Sequence, residues 1–95
     1  MGKISIVGIG PGSLQHITPG AVNAIKKADI VVGYKTYLQL IEELILEKTV
    51  YESSMMQEVA RAKKAIEFAE KGKNVAVISS GDAGIYAMAG LILEL

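Results

Sequence analysis

The apolar positions along the chain alternate between two kinds of run. Ile4 to Gly8 is short, apolar and punctuated by glycine, the pattern of a buried strand. Thr18 and Pro19 then read as the N-cap and first residue of a helix, where proline has no needed N–H to lose. Ala21, Val22, Ile25 and Ala28 follow at helical spacing. Asp29 to Gly33 predicts a second strand, and Tyr37, Leu38, Ile41, Leu44 and Ile45 one face of a second helix. Thr49 to Ser53 reads as a weaker third strand.

A third helix is predicted from Gln57 to Lys71, with Val59, Ala62, Ile66 and Ala69 as its buried stripe. Arg61, Lys63, Lys64, Glu67 and Lys71 cover the remainder as a solvated face. Glu67 and Lys71 stand at the favourable i,i+4 spacing, and Gly72 occupies the left-handed position after the last turn. Lys73 to Ser80 predicts a fourth strand, from which Gly81-Asp82-Ala83-Gly84 turns into a last apolar helix. Strands alternating with crossovers of this length must be parallel, with helices on both faces. The fold class is α/β.

Composition narrows the chemistry. The 95 residues are 51% hydrophobic and 21% charged, with no net charge. A chain this size buries roughly 60–70% of its unfolded surface, enough for one core. Without a polybasic run or acidic tail, neither nucleic acid nor a membrane surface is an expected partner. No cysteine is present, so disulfides, thiolate metal sites and a cysteine nucleophile are excluded. His16 is the lone histidine, too few ligands for a zinc or iron site, and it reads as a solvated or capping side chain. The charge-poor stretch from Ile4 to Ile25 is broken by Gly8, Gly10, Pro11, Gly12 and Pro19, which removes it as a membrane helix or signal segment. A cytoplasmic protein is the expectation. The apolar Leu93-Glu94-Leu95 ending suggests a fragment of a longer chain.

Two glycine-rich turns follow predicted strands: Gly8-Ile9-Gly10-Pro11-Gly12 and Ser80-Gly81-Asp82-Ala83-Gly84. Ligands of open parallel sheets bind at the carboxyl ends of strands, and glycine lets backbone approach them closely. The plain alternative is that the glycines only make tight turns. A dinucleotide fingerprint starting at Gly8 fails because Ser13 stands where the third glycine belongs. A phosphate-binding loop ending in Gly-Lys-Ser/Thr is absent as well. Gly33-Tyr34-Lys35-Thr36-Tyr37 places polar-tipped groups just past a strand's carboxyl end, either as a capping turn or as a substrate-facing one. Met55 and Met56 read as packing.

IVGIGPGSLQHITPGAVNAIKKADIVVGYKTY followed by KNVAVISSGDAGIYAMAG resembles the amino-terminal half of a tetrapyrrole (corrin/porphyrin) methylase. The likeness covers essentially the whole chain. The two glycine loops mark the superfamily, and GYKTY with SSGDAGIYAMAG narrows it to a branch of cobalamin biosynthesis. The resemblance implies two α/β domains holding S-adenosylmethionine and a precorrin in the cleft between them, in a homodimer. Residues 1–95 would be the amino-terminal domain, without its final strand and without the second domain. It further implies that Pro11, Ser80, Gly81, Asp82 and Ile85 contact the methyl donor, and that a precorrin ring carbon is methylated with ring contraction.

Two departures stand out. Ala83 replaces the proline that follows Asp82's counterpart in many relatives. Tyr34 stands where the uroporphyrinogen-methylating branch carries an acid, so no catalytic carboxylate carries over, and Tyr34 and Lys35 are the candidates left. Methyl transfer from a sulfonium is an in-line displacement in which positioning supplies much of the catalysis, and a base serves mainly to remove the resulting proton. The competing readings are another regiospecific tetrapyrrole methylase and a non-catalytic nucleotide-binding module.

Overall fold

The computed structural model describes residues 2–9, 19–53, 57–79, 90 and 92. Four strands, β1 (Ile4–Gly8), β2 (Ile30–Tyr34), β3 (Thr49–Ser53) and β4 (Val75–Ser79), form one sheet. All pairings are parallel, in the order β1-β4-β2-β3. Three helices connect them: α1 (Pro19–Lys27), α2 (Lys35–Leu40) and α3 (Glu58–Glu70).

The strand order fixes where the helices lie. From β1 to β2 to β3 the chain moves one way along the sheet, and from β3 to β4 it comes back. Right-handed crossovers in opposite directions put their helices on opposite faces. Accordingly α1 and α2 pack through Ile25, Leu38 and Ile41 against Val7, Val31, Ala76 and Ile78. On the other face, α3 packs through Ala62, Ala65 and Ala69 against Ile30, Val32, Val75 and Val77. With a neighbour on each side and helices on both faces, all of β4 is buried, which is why it reads as a continuous apolar run.

The expected α/β architecture is present, with local differences. β2 begins at Ile30 rather than Asp29, because Asp29 locks the amino end of the sheet to Asn74. The Asn74 backbone N–H donates to Asp29 Oδ2 at 2.8 Å, and the Asp29 N–H donates to the Asn74 carbonyl at 2.7 Å. The second helix does not run on to Ile45. It stops at Leu40, Ile41 leaves helical geometry (φ −116°, ψ 23°), and a 3-10 turn spans Glu42–Leu44. Lys48 anchors this connection, its Nζ donating to the carbonyls of Lys26 at 2.5 Å and Ala28 at 2.7 Å, where a cation suits a helix's carboxyl end. The apolar face nevertheless survives, with Leu38, Ile41 and Ile45 buried.

The buried stripe of α3 is rotated from the expected one. Val59 is 47% exposed, and Ile66 is half-buried. Ala62 and Ala69 face the sheet as expected, Ala65 joins them, and Arg61, expected among the solvated charges, is buried with them. Alanines let the helix axis approach the sheet closely, so the contact line follows the small side chains rather than the branched ones. The solvated face carries Glu67 paired with Lys71 at 3.7 Å and with Lys64 at 3.5 Å. The helix ends in a Schellman motif: Gly72 has φ +86°, its N–H donates to the Ala69 carbonyl, and the Lys73 N–H donates to the Phe68 carbonyl. Among the described residues no helix is long and apolar enough to cross a membrane.

Candidate functional site

The register of the sheet assembles its carboxyl rim. Gly8 pairs with Ser79, and Tyr34 pairs with Ser53, one step past the pairing of Gly33 with Ile78. Across the sheet, the last rung therefore reads Gly8, Ser79, Tyr34, Ser53. Two residues earlier, at positions of the same parity, it reads Ile6, Val77, Val32, Tyr51, all in the apolar cluster under α3. Polarity changes abruptly at the rim.

The buried polar or charged side chains among the described residues are Ser53, Arg61 and Ser79, only 7%, 8% and 7% exposed. Arg61 lies in the first turn of α3, and its Nη1 donates to Ser53 Oγ at 2.7 Å. Ser53 Oγ in turn donates to the Gly33 carbonyl at 3.5 Å, the long limit of such a bond. Ser79 Oγ is buried with no hydrogen-bond partner among the described residues. An orphaned hydroxyl of this kind costs free energy that some bound group can recover.

Ser79 also marks the place where the winding reverses. β1 leads to α1 on one face, whereas Ile92, downstream of β4, packs in the cluster on the other face. Adjacent strands whose continuations leave toward opposite faces open a crevice at their carboxyl ends, the usual ligand position in such sheets. Ile9 extends the pairing by one bond, its N–H donating to the Ser79 carbonyl at 2.9 Å. The strand ends that precede the two glycine-rich segments, Gly8 and Ser79, are thus side by side, at the strand spacing of about 4.8 Å.

Pro11, Ser80, Gly81, Asp82 and Ile85 lie outside the described residues, as do His16, Met55 and Met56. Tyr34 and Lys35 are described. Tyr34 is the N-cap of α2 in extended geometry (φ −73°, ψ 137°), but its side chain makes no capping hydrogen bond. Its ring meets Tyr37 edge-on, with centroids 5.6 Å apart. Capping therefore does not account for the Tyr34 hydroxyl. Lys35 is exposed at the first position of α2. An open pocket of about 400 Å³, lined by Lys26, Leu46 and Lys48 among others, lies at the opposite end of the sheet, beside the end of α1 and the start of β3.

Sequence reasoning missed Arg61, Ser53 and Ser79. The available signal was parity: Ser53 shares its face with Tyr51, and Ser79 with Val75 and Val77. The rim offers buried hydroxyls and backbone groups, a chemistry suited to holding a polar small molecule.

Known proteins match both the sequence and the architecture. A family model of tetrapyrrole (corrin/porphyrin) methylases matches residues 3–95. The cobalt-factor III methyltransferase of Priestia megaterium is 51% identical over 94 residues, covering 99% of this chain and 17% of its own length. A probable cobalt-factor III C(17)-methyltransferase of Salmonella typhimurium is 53% identical over 92 residues, covering 97% of this chain and 38% of its own. Among solved structures, the methyltransferase CobJ superposes with a TM-score of 0.85 at 35% identity, over 99% of this chain and 39% of that one. A uroporphyrin-III-C-methyltransferase from Thermus thermophilus, at 24% identity and a TM-score of 0.80, shares the fold. This chain spans well under half the length of these relatives. With the family model running over nearly its full extent and the sheet matching that of CobJ, the chain belongs to the tetrapyrrole methylase family.

Proposed function

We propose that this chain is the amino-terminal part of an S-adenosylmethionine-dependent methyltransferase of cobalamin biosynthesis, acting at C(17) of cobalt-factor III or the corresponding precorrin, with ring contraction. The observation that carries the reading is the identity of 51% and 53% to a cobalt-factor III methyltransferase and a probable cobalt-factor III C(17)-methyltransferase. The crevice between β1 and β4, with both glycine loops starting on one rim, supports it physically. Residues 1–95 would supply one wall of the cleft, and a second domain the other. A cytoplasmic homodimer belongs to the same proposal.

The methyl donor fits the rim. Ser79 Oγ is a buried polar atom at the reversal point with no partner among the described residues, and the adjoining sequence carries glycines that admit a ligand close to backbone. Pro11, Ser80, Gly81, Asp82 and Ile85, matched by position to the family's donor contacts, would hold it. When bound, the donor supplies an electrophilic methyl group on a sulfonium. The chain's own part is to bind and orient: backbone amides and carbonyls of the loops receive a zwitterionic amino-acid end, and the sheet rim fixes the line of approach. Tyr34 and Lys35, past the end of β2, are the groups proposed to face the macrocycle. A tyrosine hydroxyl or a lysine amine there can take up or relay the proton that the macrocycle loses after methylation.

The test is incubation of the two-domain protein with S-adenosylmethionine and cobalt-factor III, reading the product by mass and absorbance. Gain of one methyl group at C(17) is expected. Calorimetric heat with NADH, and none with S-adenosylmethionine or its demethylated product, would overturn the assignment.

A further inference from the structure

We infer that Arg61 is a positioning residue for the methyl-transfer reaction: from α3 it acts through Ser53 to set the Gly33–Tyr34 peptide, and so the direction in which Tyr34 meets the macrocycle. The inference rests on the methyl-transfer reading, with Tyr34 facing the tetrapyrrole, and adds to it a side chain that touches no substrate.

Arg61 is a poor choice for stability on two counts. It stands in the first turn of α3, where the helix dipole disfavours a cation. It is also buried, where a guanidinium loses its hydration. What a buried, hydrogen-bonded charge can offer in return is one fixed arrangement.

The arrangement it reaches is the carboxyl end of β2. Gly33 has little room for a Cβ, which would lie 3.1 Å from Ile78 Cβ and from Leu38 Cδ2. Glycine brings the widest backbone freedom of any residue, here just before Tyr34. β2 pairs with β4 as far as Gly33, whereas Tyr34 pairs with Ser53 of β3. Ser53 holds this end twice. Its backbone is the ladder partner of Tyr34, and its hydroxyl donates at 3.5 Å to the Gly33 carbonyl, which shares one planar peptide group with the Tyr34 N–H. Arg61 Nη1, 2.7 Å from Ser53 Oγ, donates to a lone pair of that oxygen and leaves its proton to point at Gly33. α2 starts at the next residue, Lys35, and the Tyr34 ring rests edge-on against Tyr37. A turned Gly33–Tyr34 peptide would re-aim Tyr34 and the start of α2 together.

Steady-state kinetics of the two-domain protein with S-adenosylmethionine and cobalt-factor III tests this. Ser53→Ala and Arg61→Met are each made alone and together with Tyr34→Phe, and assayed well below every melting midpoint. With the tyrosine hydroxyl present, each is expected to lower kcat about tenfold through misplacement. KM for S-adenosylmethionine and the affinity for S-adenosylhomocysteine should stay within about twofold. In the Tyr34→Phe background the same substitutions should add less than about a twofold loss, because the group they position is gone. Equal losses in both backgrounds would overturn the inference, since a merely structural role does not depend on that hydroxyl. An unchanged kcat in Ser53→Ala would do the same, as would failure of both variants to fold; if only Arg61→Met fails to fold, Ser53→Ala decides. If the unaltered protein transfers no methyl group to cobalt-factor III, the methyl-transfer reading falls and this inference falls with it.

Discussion

Arg61 Nη1 donates a 2.7 Å hydrogen bond to Ser53 Oγ, joining the first turn of α3 to the last residue of β3 inside the protein. A guanidinium this deep is strongly disfavoured unless its donors are engaged. Removing the serine oxygen should therefore cost more than a typical surface hydrogen bond. Ser53→Ala is expected to destabilise the protein by about 1.5–3 kcal/mol, the range for hydrogen bonds to charged groups. Combined with Arg61→Met, the loss should fall short of the sum of the single losses by about 1 kcal/mol or more, because the two groups act as a unit. Urea denaturation of the four proteins measures this, and strict additivity would show that the bond contributes nothing.

Gly33 is held by contact rather than by conformation. A Cβ built there would lie 3.1 Å from Ile78 Cβ and 3.1 Å from Leu38 Cδ2. Gly33→Ala should push α2 off the sheet and cost about 1–3 kcal/mol, the usual range for overpacking. Thermal melting of the variant is the measurement, and an unchanged midpoint would mean that Leu38 yields freely.

Gly72 presents the opposite case. Its φ of +86° puts it in left-handed backbone, and a Cβ there would meet nothing within 4 Å. Gly72→Ala should thus cost only the backbone term, about 1–2 kcal/mol. Gly72→Asn should cost less, since asparagine tolerates this region. Equal losses for both variants would point to a cause other than φ.

Tyr34 ends β2 on the rung of Ser79 and Ser53, with a hydroxyl that caps nothing. If it faces the tetrapyrrole, Tyr34→Phe should lower kcat by tenfold or more, in the range of general acid–base contributions. Affinity for S-adenosylhomocysteine should stay within twofold. A fall in melting temperature with kcat unchanged would assign the hydroxyl to structure.

Three strands were legible as short apolar runs with punctuation, and the weaker, mostly exposed Thr49–Ser53 also stands where the pattern put it. The break of α2 at Ile41 was not, since tertiary anchoring by Lys48 leaves no trace in the helical spacing of Leu38, Ile41 and Ile45. In α3, Val59 drew the stripe toward itself by hydrophobicity, while packing chose Ala65 and buried Arg61. The candidate site was half legible. Glycine loops announce themselves in sequence, but the rung of Gly8, Ser79, Tyr34 and Ser53 depends on strand order. Nothing local in the sequence says that the fourth strand lies between the first and second.

That strand order also governs how the protein is made. β4 is the last of these strands to be synthesised, yet it alone joins β1 to the β2–β3 pair, with Val75 meeting Ile4 on one side and Ile30 on the other. Until Ser79 clears the ribosome, β1 has no partner and β2 has one bare edge. The closing event spans nearly the whole chain, a long loop to shut before any of its contacts are gained. A translational pause just short of β4 would hold β1 and the inner edge of β2 unpaired in one nascent molecule. That window, rather than the finished fold, is where edge-to-edge aggregation threatens this protein most.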